Sequence, residues 1–234
     1  MDEGAPDDGS SQAGGGPDGL VRALKGVVDT VLTRISGHTG IAVTTLSQPP
    51  SVVTLIDAVQ APPLARAYYG TGRPSPIIAS LAHVPEMLEV ALPFVGTVLG
   101  SSAIDARTKE LVILRTSALL ECRYCAQTHA VVALDSDVWP HEVRALRGEG
   151  TLDAAFPDER ERALLDWTDA VALGRGAVPA PLVDAVKAHF GEHEIVELTL
   201  LVGATVMLNR YCSALGLPTS PATLERLARE GLLT

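Results

Sequence analysis

Two cysteines and a histidine stand close together near the middle of the chain. Cys122 and Cys125 are three residues apart, and His129 follows four residues later. On a helix these spacings put all three side chains on one face. A thiolate is a strong nucleophile, and an oxidised thiol beside a second thiol closes readily to a disulfide. The spacing therefore predicts a redox-active cysteine pair inside an enzyme.

Glu110 belongs to the same predicted site. A chain turn near Leu120 would fold the preceding helix antiparallel to the helix that carries the cysteines. Glu110 lies about ten residues before this turn and His129 about nine after it, so both lie roughly 14 Å from the turn and can face each other. The first turn of a helix also lends partial positive charge to a thiol. We expect His129 to take the thiol proton, directly or through water, and Glu110 to orient the imidazole and accept the proton in turn.

Other kinds of site use the same residue types. Two thiolates, an imidazole and a carboxylate can form a tetrahedral zinc shell, but a Cys-x2-Cys motif is usually half of a zinc site and this chain has no second pair. Thioredoxin-type exchange needs a βαβ frame, which the sequence does not show. Haem attachment needs a histidine directly after the second cysteine, where Ala126 stands. Two buried core cysteines remain a further alternative, and we predict no metal.

The elements that position these residues are helices. From Ser75 onward the apolar spacing is helical and no clean strand is visible, which predicts an all-α, multi-helical fold of packed helical hairpins. The predicted helices are 77–92 with a break near Pro85, 106–120 with Asp105 as N-cap, about 122–134, 157–172, 181–190, 193–215 closed by Gly216 and Pro218, and 221–231.

The chain divides into three predicted parts. Residues 1–19 are almost all small or polar and should be disordered, because they cannot bury apolar surface. Residues 20–74 form an N-terminal extension, with an amphipathic helix over 20–36 and then loops and short helices. Residues 75–234 form the helical domain.

A segment near the C-terminus resembles the cysteine segment. Residues 110–125 align with 197–212 without a gap, and Glu, Leu, Arg, Tyr and Cys coincide. Either two leucine-rich helices are similar by chance, or a helical hairpin is duplicated. In the second case the copy has lost its chemistry, because Asn209 stands in place of Cys122 and Gly216 in place of His129.

Composition limits the classes of partner. Hydrophobic residues make up 47% of the chain, so a full core can be buried. The formal net charge of −10 argues against nucleic acid or an anionic membrane as the main partner. No apolar run approaches the ~18 residues of a membrane helix, and the N-terminus lacks the pattern of a secretory signal. We therefore expect a cytoplasmic protein, in which a structural disulfide is uncommon.

Two further residues have alternative interpretations. Arg115 lies in an otherwise apolar helix, so it either pairs with a carboxylate or contacts an anionic substrate. Cys212 lies in a long apolar stretch and is either a small core residue or a functional thiol.

The run Glu110-x11-Cys122-x2-Cys125-x3-His129 resembles the signature of the alkylhydroperoxidase D-like (AhpD-like) branch of the carboxymuconolactone decarboxylase superfamily. The similarity extends over roughly residues 75–218, through the segments 81–94, 105–120, 158–171 and 194–217. It implies a multi-helical fold, homo-oligomers that are often trimers or hexamers, and no bound organic cofactor.

The resemblance also implies a reaction. It implies a thiol peroxidase that reduces hydroperoxides and is recharged by a dithiol reductant protein or a small thiol. Cys125 would be the peroxidatic thiol, Cys122 the resolving thiol, and Glu110 and His129 the proton relay. Tyr124 departs from the pattern, because well-studied members carry a histidine at this position, and a phenol is a poor base near pH 7.

The departure at Tyr124 leaves a second function open. The same fold and pocket could serve a cofactor-free acid/base enzyme, of decarboxylase, isomerase or hydrolase type, that acts on a small carbonyl or lactone metabolite. Decarboxylase members of the superfamily generally lack the cysteine pair, which argues against lactone decarboxylation.

Overall fold

The structure is a computed structural model that describes residue 48 and residues 50–70, 74–100 and 102–233. The predicted disordered tail (1–19) and the predicted helix over 20–36 lie outside the described residues. Within the described ranges the chain has ten α-helices, a short 3-10 turn over Arg66–Tyr68, and no strand. The helices are α1 (Pro76–Leu81), α2 (Pro85–Leu99), α3 (Ala106–Leu119), α4 (Arg123–Leu134), α5 (Pro140–Leu146), α6 (Leu152–Ala155), α7 (Glu159–Leu173), α8 (Ala180–His189), α9 (Glu192–Leu215) and α10 (Pro221–Arg229). The all-α prediction is confirmed.

Side-chain caps begin several of these helices. Asp105, the predicted N-cap of α3, accepts the backbone N–H of Thr108 at 2.8 Å and its hydroxyl at 2.7 Å. Asp158 accepts two backbone N–H groups at the start of α7. Ser75 and Ser220 each cap a helix whose first residue is a proline. Each cap gives a partner to N–H groups that the first helical turn leaves unpaired.

Two parts of the helix prediction were wrong. The helix predicted to stop at residue 92 continues through Pro93 to Leu99. The carbonyl that Pro93 cannot bond belongs to exposed Glu89, where water can reach it, and buried Leu92 and Val98 hold the helix in the core. Helices α5 and α6 were not predicted, because seven and four residues are too few for apolar periodicity to show.

Helix α3 lies at the centre of the fold. Residues 111–114 are all buried, so every side of this part of α3 is covered. The helix packs against α4, α5, α7 and α9. A helix that is buried on every side cannot be assigned to one face by periodicity. Glu110 therefore lies on a helix that is packed on every side.

Helix α9 differs from the expectation that no apolar run approaches the length of a membrane helix. It is 24 residues long and, among the described residues, is the one helix long and apolar enough to cross a membrane. It nevertheless packs against α2, α3, α4, α7 and α8, and buries Leu198, Leu201 and Val202 completely. We therefore interpret its apolar character as that of a core helix.

Candidate active site

The predicted turn between the two site helices lies between α3 and α4. Leu120 ends α3 with a hydrogen bond to the Thr116 carbonyl, and Glu121 adopts the left-handed backbone conformation with φ +55°. The N–H of Cys122 then donates to the Ser117 carbonyl at 3.0 Å. These contacts reverse the chain within three residues, so α4 runs back along α3.

The two cysteines of the motif are in direct contact. Cys122 is the N-cap of α4, and its Sγ accepts the backbone N–H of Cys125 at 3.4 Å. The Sγ atoms of Cys122 and Cys125 lie 2.6 Å apart, within hydrogen-bond distance. Both residues are buried, with 1% of Cys122 and 6% of Cys125 exposed. The pair therefore shares one hydrogen-bonded environment at the start of a helix.

This environment separates the two thiol pKa values. Hydrogen bonds from the Cys125 and Cys212 thiols, joined by the Cys125 N–H, outweigh burial and hold the pKa of Cys122 well below its usual range. The pKa of Cys125 is raised, because its proton is held by Cys122 and because burial disfavours a second charge. Negative charge on the resting pair therefore lies on Cys122.

A carboxylate and an imidazole meet beside the pair. His129 Nδ1 lies 2.9 Å from Glu110 Oε2, across the hairpin between α3 and α4. Burial acts to lower the pKa of His129, but the Glu110 carboxylate outweighs burial and leaves that pKa above its usual value. The bond to Glu110 occupies Nδ1 and leaves Nε2 as the second donor of the imidazolium.

Tyr124 packs with the cysteines in one apolar cluster. Burial raises the pKa of its phenol, and the nearby Cys212 and Cys125 raise it further. The phenol is therefore neutral and can serve as a hydrogen-bond donor, not as a base near neutral pH.

The structure places Arg115 away from the thiols. Its guanidinium donates to both carboxylate oxygens of Asp169 on α7, at 2.7 and 2.5 Å, and to the Leu146 carbonyl. The structure therefore shows Arg115 in an ion pair. None of these hydrogen bonds reaches the cysteine pair.

Cys212 lies beside the motif cysteines although it is distant from them in sequence. It lies on α9, is 1% exposed, and belongs to the same packed cluster as Cys122, Tyr124 and Cys125. The alignment of 110–125 with 197–212 put Cys212 at the position of Cys125, which was the available signal. The structure does not repeat the hairpin there, since 197–212 is one continuous part of α9.

The extension before residue 75 forms part of the site wall. We call residues 50–56 the strap. The strap is anchored by the N–H of Val52 on the Leu215 carbonyl (2.9 Å) and the N–H of Ile56 on the Ala79 carbonyl (3.1 Å). Between these anchors, Leu55 packs against the thiol cluster. The remaining partly buried apolar residues on that cluster are Ile77, Tyr211 and Leu215.

A polar chain joins the same extension to α4. The side chain of Gln48 accepts the N–H of Thr219 at 2.8 Å and donates to its carbonyl at 3.0 Å. The Thr219 hydroxyl donates to Gln127 Oε1 at 2.7 Å. Gln127 lies two residues after Cys125, so these bonds tie the extension to the cysteine helix.

The four residues considered as zinc ligands pair with one another in the structure. Across the described ranges, no group of three or more His, Cys, Asp or Glu side chains is arranged to hold a metal ion. Glu110 and His129 are paired with each other, and Cys122 and Cys125 with each other.

Part of the chain matches a known protein family. Residues 85–170, which include the thiol pair, match the model of the Carboxymuconolactone decarboxylase family. A crystal structure of an AhpD protein of unknown function from Agrobacterium tumefaciens, with a suggested role in antioxidant defence, is 25% identical to the chain, with a TM-score of 0.55 over 60% of this chain and 95% of that one. Residues 85–170 therefore resemble the carboxymuconolactone decarboxylase family. The AhpD-like fold predicted from the sequence is confirmed.

Three further proteins are similar to the chain. An uncharacterised peroxidase-related protein from Ralstonia eutropha JMP134 has a TM-score of 0.67 at 17% identity, over 76% of this chain and 96% of that one. The debrominase Bmp8, solved with 2,3,4-tribromopyrrole, has a TM-score of 0.62 at 19% identity, over 77% of this chain and all of that one. The uncharacterised protein YdfG of Bacillus subtilis is 27% identical over 116 residues, which cover 49% of this chain and 78% of that protein. At these identities the two structures show a shared fold and leave the reaction open.

Proposed function

We propose that the protein is a thiol-dependent peroxidase of the AhpD type. The observation that carries this proposal is the contact between Cys122 and Cys125 at the start of α4, with the His129–Glu110 pair one turn further on. This set contains a nucleophile, a second thiol and a proton donor, which are the three groups that hydroperoxide reduction requires.

The first step is attack on the peroxide. The proton of Cys125 moves along its hydrogen bond to the Cys122 thiolate, and the Cys125 thiolate attacks the distal oxygen of the hydroperoxide. The O–O bond breaks as the S–O bond forms, and the His129 imidazolium protonates the departing alkoxide. The products are an alcohol and the Cys125 sulfenic acid.

The second step resolves the sulfenic acid. The Cys122 sulfur attacks Cys125, an S–S bond replaces the S–O bond, and water leaves. A dithiol reductant protein or a small thiol then returns two electrons and two protons to the disulfide by thiol–disulfide exchange. Over the cycle, one hydroperoxide becomes one alcohol and one water.

The assignment of Cys125 as the attacking thiol rests on three arguments. The family resemblance favours Cys125, it is the more exposed of the two, and it lies one helical turn from His129. The pKa directions favour Cys122 as the ionised sulfur. The hydrogen bond between the sulfurs reconciles these facts, because one proton shift moves the charge from Cys122 to Cys125.

The test is hydroperoxide consumption with dithiothreitol as reductant. Cys125→Ser should abolish turnover, and Cys122→Ser should slow turnover because the first resolving thiol is lost. His129→Gln should slow the reaction about 100-fold, as the loss of a general acid does, while exposed His141→Gln serves as the matched control. Unchanged turnover in Cys125→Ser would contradict the assignment.

The apolar wall favours organic hydroperoxides over hydrogen peroxide. Leu55, Ile77 and Leu215 face the thiol cluster, and such residues bind an alkyl group by removing its surface from water. The protein should therefore have a lower KM for cumene hydroperoxide than for hydrogen peroxide.

The acid/base alternative has one structural argument. The strap and neutral Tyr124 reshape the site relative to the expected pattern, and this could suit a small carbonyl or lactone substrate. Activity that survived replacement of both Cys122 and Cys125 would favour this alternative over the peroxidase.

We further propose a homo-oligomer, a trimer or hexamer, in the cytoplasm. Helix α9 exposes apolar Val196, Leu200 and Met207 on one face, with Gly203 between them. Their spacing of four, three and four residues is that of a helix–helix seam. A reducing compartment would keep the thiol pair ready for the next hydroperoxide.

A further inference from the structure

We propose that Cys212 is a second resolving thiol, able to close a disulfide with Cys125 when Cys122 does not. This inference rests on the proposed peroxidase function and extends its site to a third helix. Cys212 comes from α9, whereas the motif cysteines both come from the start of α4.

The position of Cys212 is set by the end of α9. Gly216 adopts the left-handed conformation (φ +61°), the N–H of Gly216 donates to the Ser213 carbonyl, and the N–H of Leu217 donates to the Cys212 carbonyl at 3.0 Å. This pattern is a Schellman cap, in which the residue after the glycine packs against the residue at the position of Cys212. Leu217 and Cys212 indeed share one buried cluster.

The strap closes the same helix end from outside. The Ser51 hydroxyl and the Val52 N–H both donate to the Leu215 carbonyl, at 3.0 and 2.9 Å. With its last carbonyls paired, this turn of α9 is held in place, and Cys212 is fixed beside the motif cysteines.

The three cysteines share one buried cluster, and each thiol affects the pKa values of the other two. The Cys212 thiol helps to lower the pKa of Cys122, and it helps to raise the pKa of Cys125. The pKa of Cys212 itself is raised, chiefly because its proton is held by Cys122. Loss of Cys122 would remove this restraint and make Cys212 easier to ionise.

The chemical step balances without a further reagent. Cys212 gives up its proton and its sulfur attacks the Cys125 sulfenic acid, so that an S–S bond forms, the S–O bond breaks and water leaves. The same dithiol reductant then reopens the Cys125–Cys212 disulfide.

Peptide mapping of the full-length chain tests the inference. Cys122→Ser is treated with one equivalent of cumene hydroperoxide, free thiols are alkylated, and the protein is digested without reduction. We expect a Cys125–Cys212 cross-linked peptide as the main oxidised product. In Cys122→Ser/Cys212→Ala the cross-link should be absent, and Cys125 should stop at the sulfenic acid, because one equivalent of hydroperoxide oxidises the thiol only once. Sulfenic or sulfinic Cys125 beside fully alkylated Cys212 in Cys122→Ser would overturn the inference.

A second oxidant separates this inference from the peroxidase proposal. Diamide oxidises adjacent thiols without a peroxide, so it should give the Cys125–Cys212 link in Cys122→Ser and a Cys122–Cys212 link in Cys125→Ser. If diamide forms these links while hydroperoxide leaves every thiol of the wild-type protein free, Cys212 is supported as a redox partner and the peroxidase function fails. If hydroperoxide oxidises Cys125 but neither oxidant links Cys212, the peroxidase function stands and this inference is overturned.

Discussion

Glu110 and His129 form a 2.9 Å hydrogen-bonded pair that crosses from α3 to α4. The pair joins the central helix of the fold to the cysteine helix. The Glu110 carboxylate raises the pKa of His129 and so favours the protonated imidazole.

Replacing Glu110 by glutamine should shift the pH dependence of the protein. Burial acts to lower the pKa of His129, and the Glu110 carboxylate is the main group that raises it, so the pKa of His129 should fall in Glu110→Gln. The alkaline limb of the pH–rate profile should then move to lower pH. NMR titration of the His129 ring checks the cause, and exposed Glu86→Gln is the control.

The same pair should contribute to stability in a defined pH range. Because the pKa of His129 is raised in the folded protein, its contribution is fully present below about pH 6.5 and is lost as the pH rises through the folded-state pKa. Urea unfolding at several pH values should show this loss in the wild-type protein and not in Glu110→Gln. An identical pH dependence in both proteins would contradict the ion-pair assignment.

Shortening Leu55 should alter substrate preference. Leu55→Ala removes an apolar group from the wall beside the thiols, so the KM for cumene hydroperoxide should rise while that for hydrogen peroxide changes little. The half-buried side chain should contribute about 1 kcal/mol to the free energy of unfolding. Val59→Ala, 88% exposed on the same extension, is the matched control. An equal change in both KM values would argue that the strap only supports the fold.

Lys109 should stabilise the fold and should take no part in the proposed reaction. Its buried ammonium donates to the Val98 carbonyl at 2.9 Å and to the Gly100 carbonyl, and pairs with Glu197 at 2.7 Å. Lys109→Ala leaves these acceptors at the end of α2 without their cation, which should cost about 3 kcal/mol of unfolding free energy. Urea denaturation measures the loss, with exposed Lys187→Ala as control.

Replacing Arg115 tests whether this residue only forms an ion pair or also contacts the substrate. Arg115→Met breaks the two bonds to Asp169 and should lower the free energy of unfolding by about 2 kcal/mol. The kcat and KM of the folded fraction should not change, because no contact joins Arg115 to the thiols. A large rise in KM at unchanged stability would instead restore the substrate-binding interpretation.

The exposed face of α9 should mediate self-association. Leu200→Glu puts a charge in the middle of the apolar seam formed with Val196 and Met207, so light scattering should show smaller species than for the wild-type protein. Val59→Glu introduces the same charge on an exposed residue elsewhere and should not change the mass. A wild-type protein that is monomeric at all concentrations would remove the basis of this prediction.

Much of the site could be predicted because it is local in sequence. Cys122, Cys125 and His129 lie on one helix, and Glu110 is reached through a single tight turn, so residue spacing and helical rise were enough to bring them together. Asp105 was predictable as a cap for the same reason. The long α9 and the all-α class followed from apolar periodicity and from the absence of strands.

The tertiary structure decided what depends on distant parts of the chain. Cys212 lies about ninety residues from the motif, and only the packing of α9 brings its thiol to Cys122 and Cys125. The strap shows no periodicity, yet its bonds to Leu215 and Ala79 make Leu55 a wall of the site. Helical spacing fixes angles within one element, whereas contacts between elements depend on the summed packing of the whole core. The sequence by itself therefore determined that Cys122, Cys125, His129 and Glu110 lie together, and the fold decided that Cys212 packs beside the two cysteines.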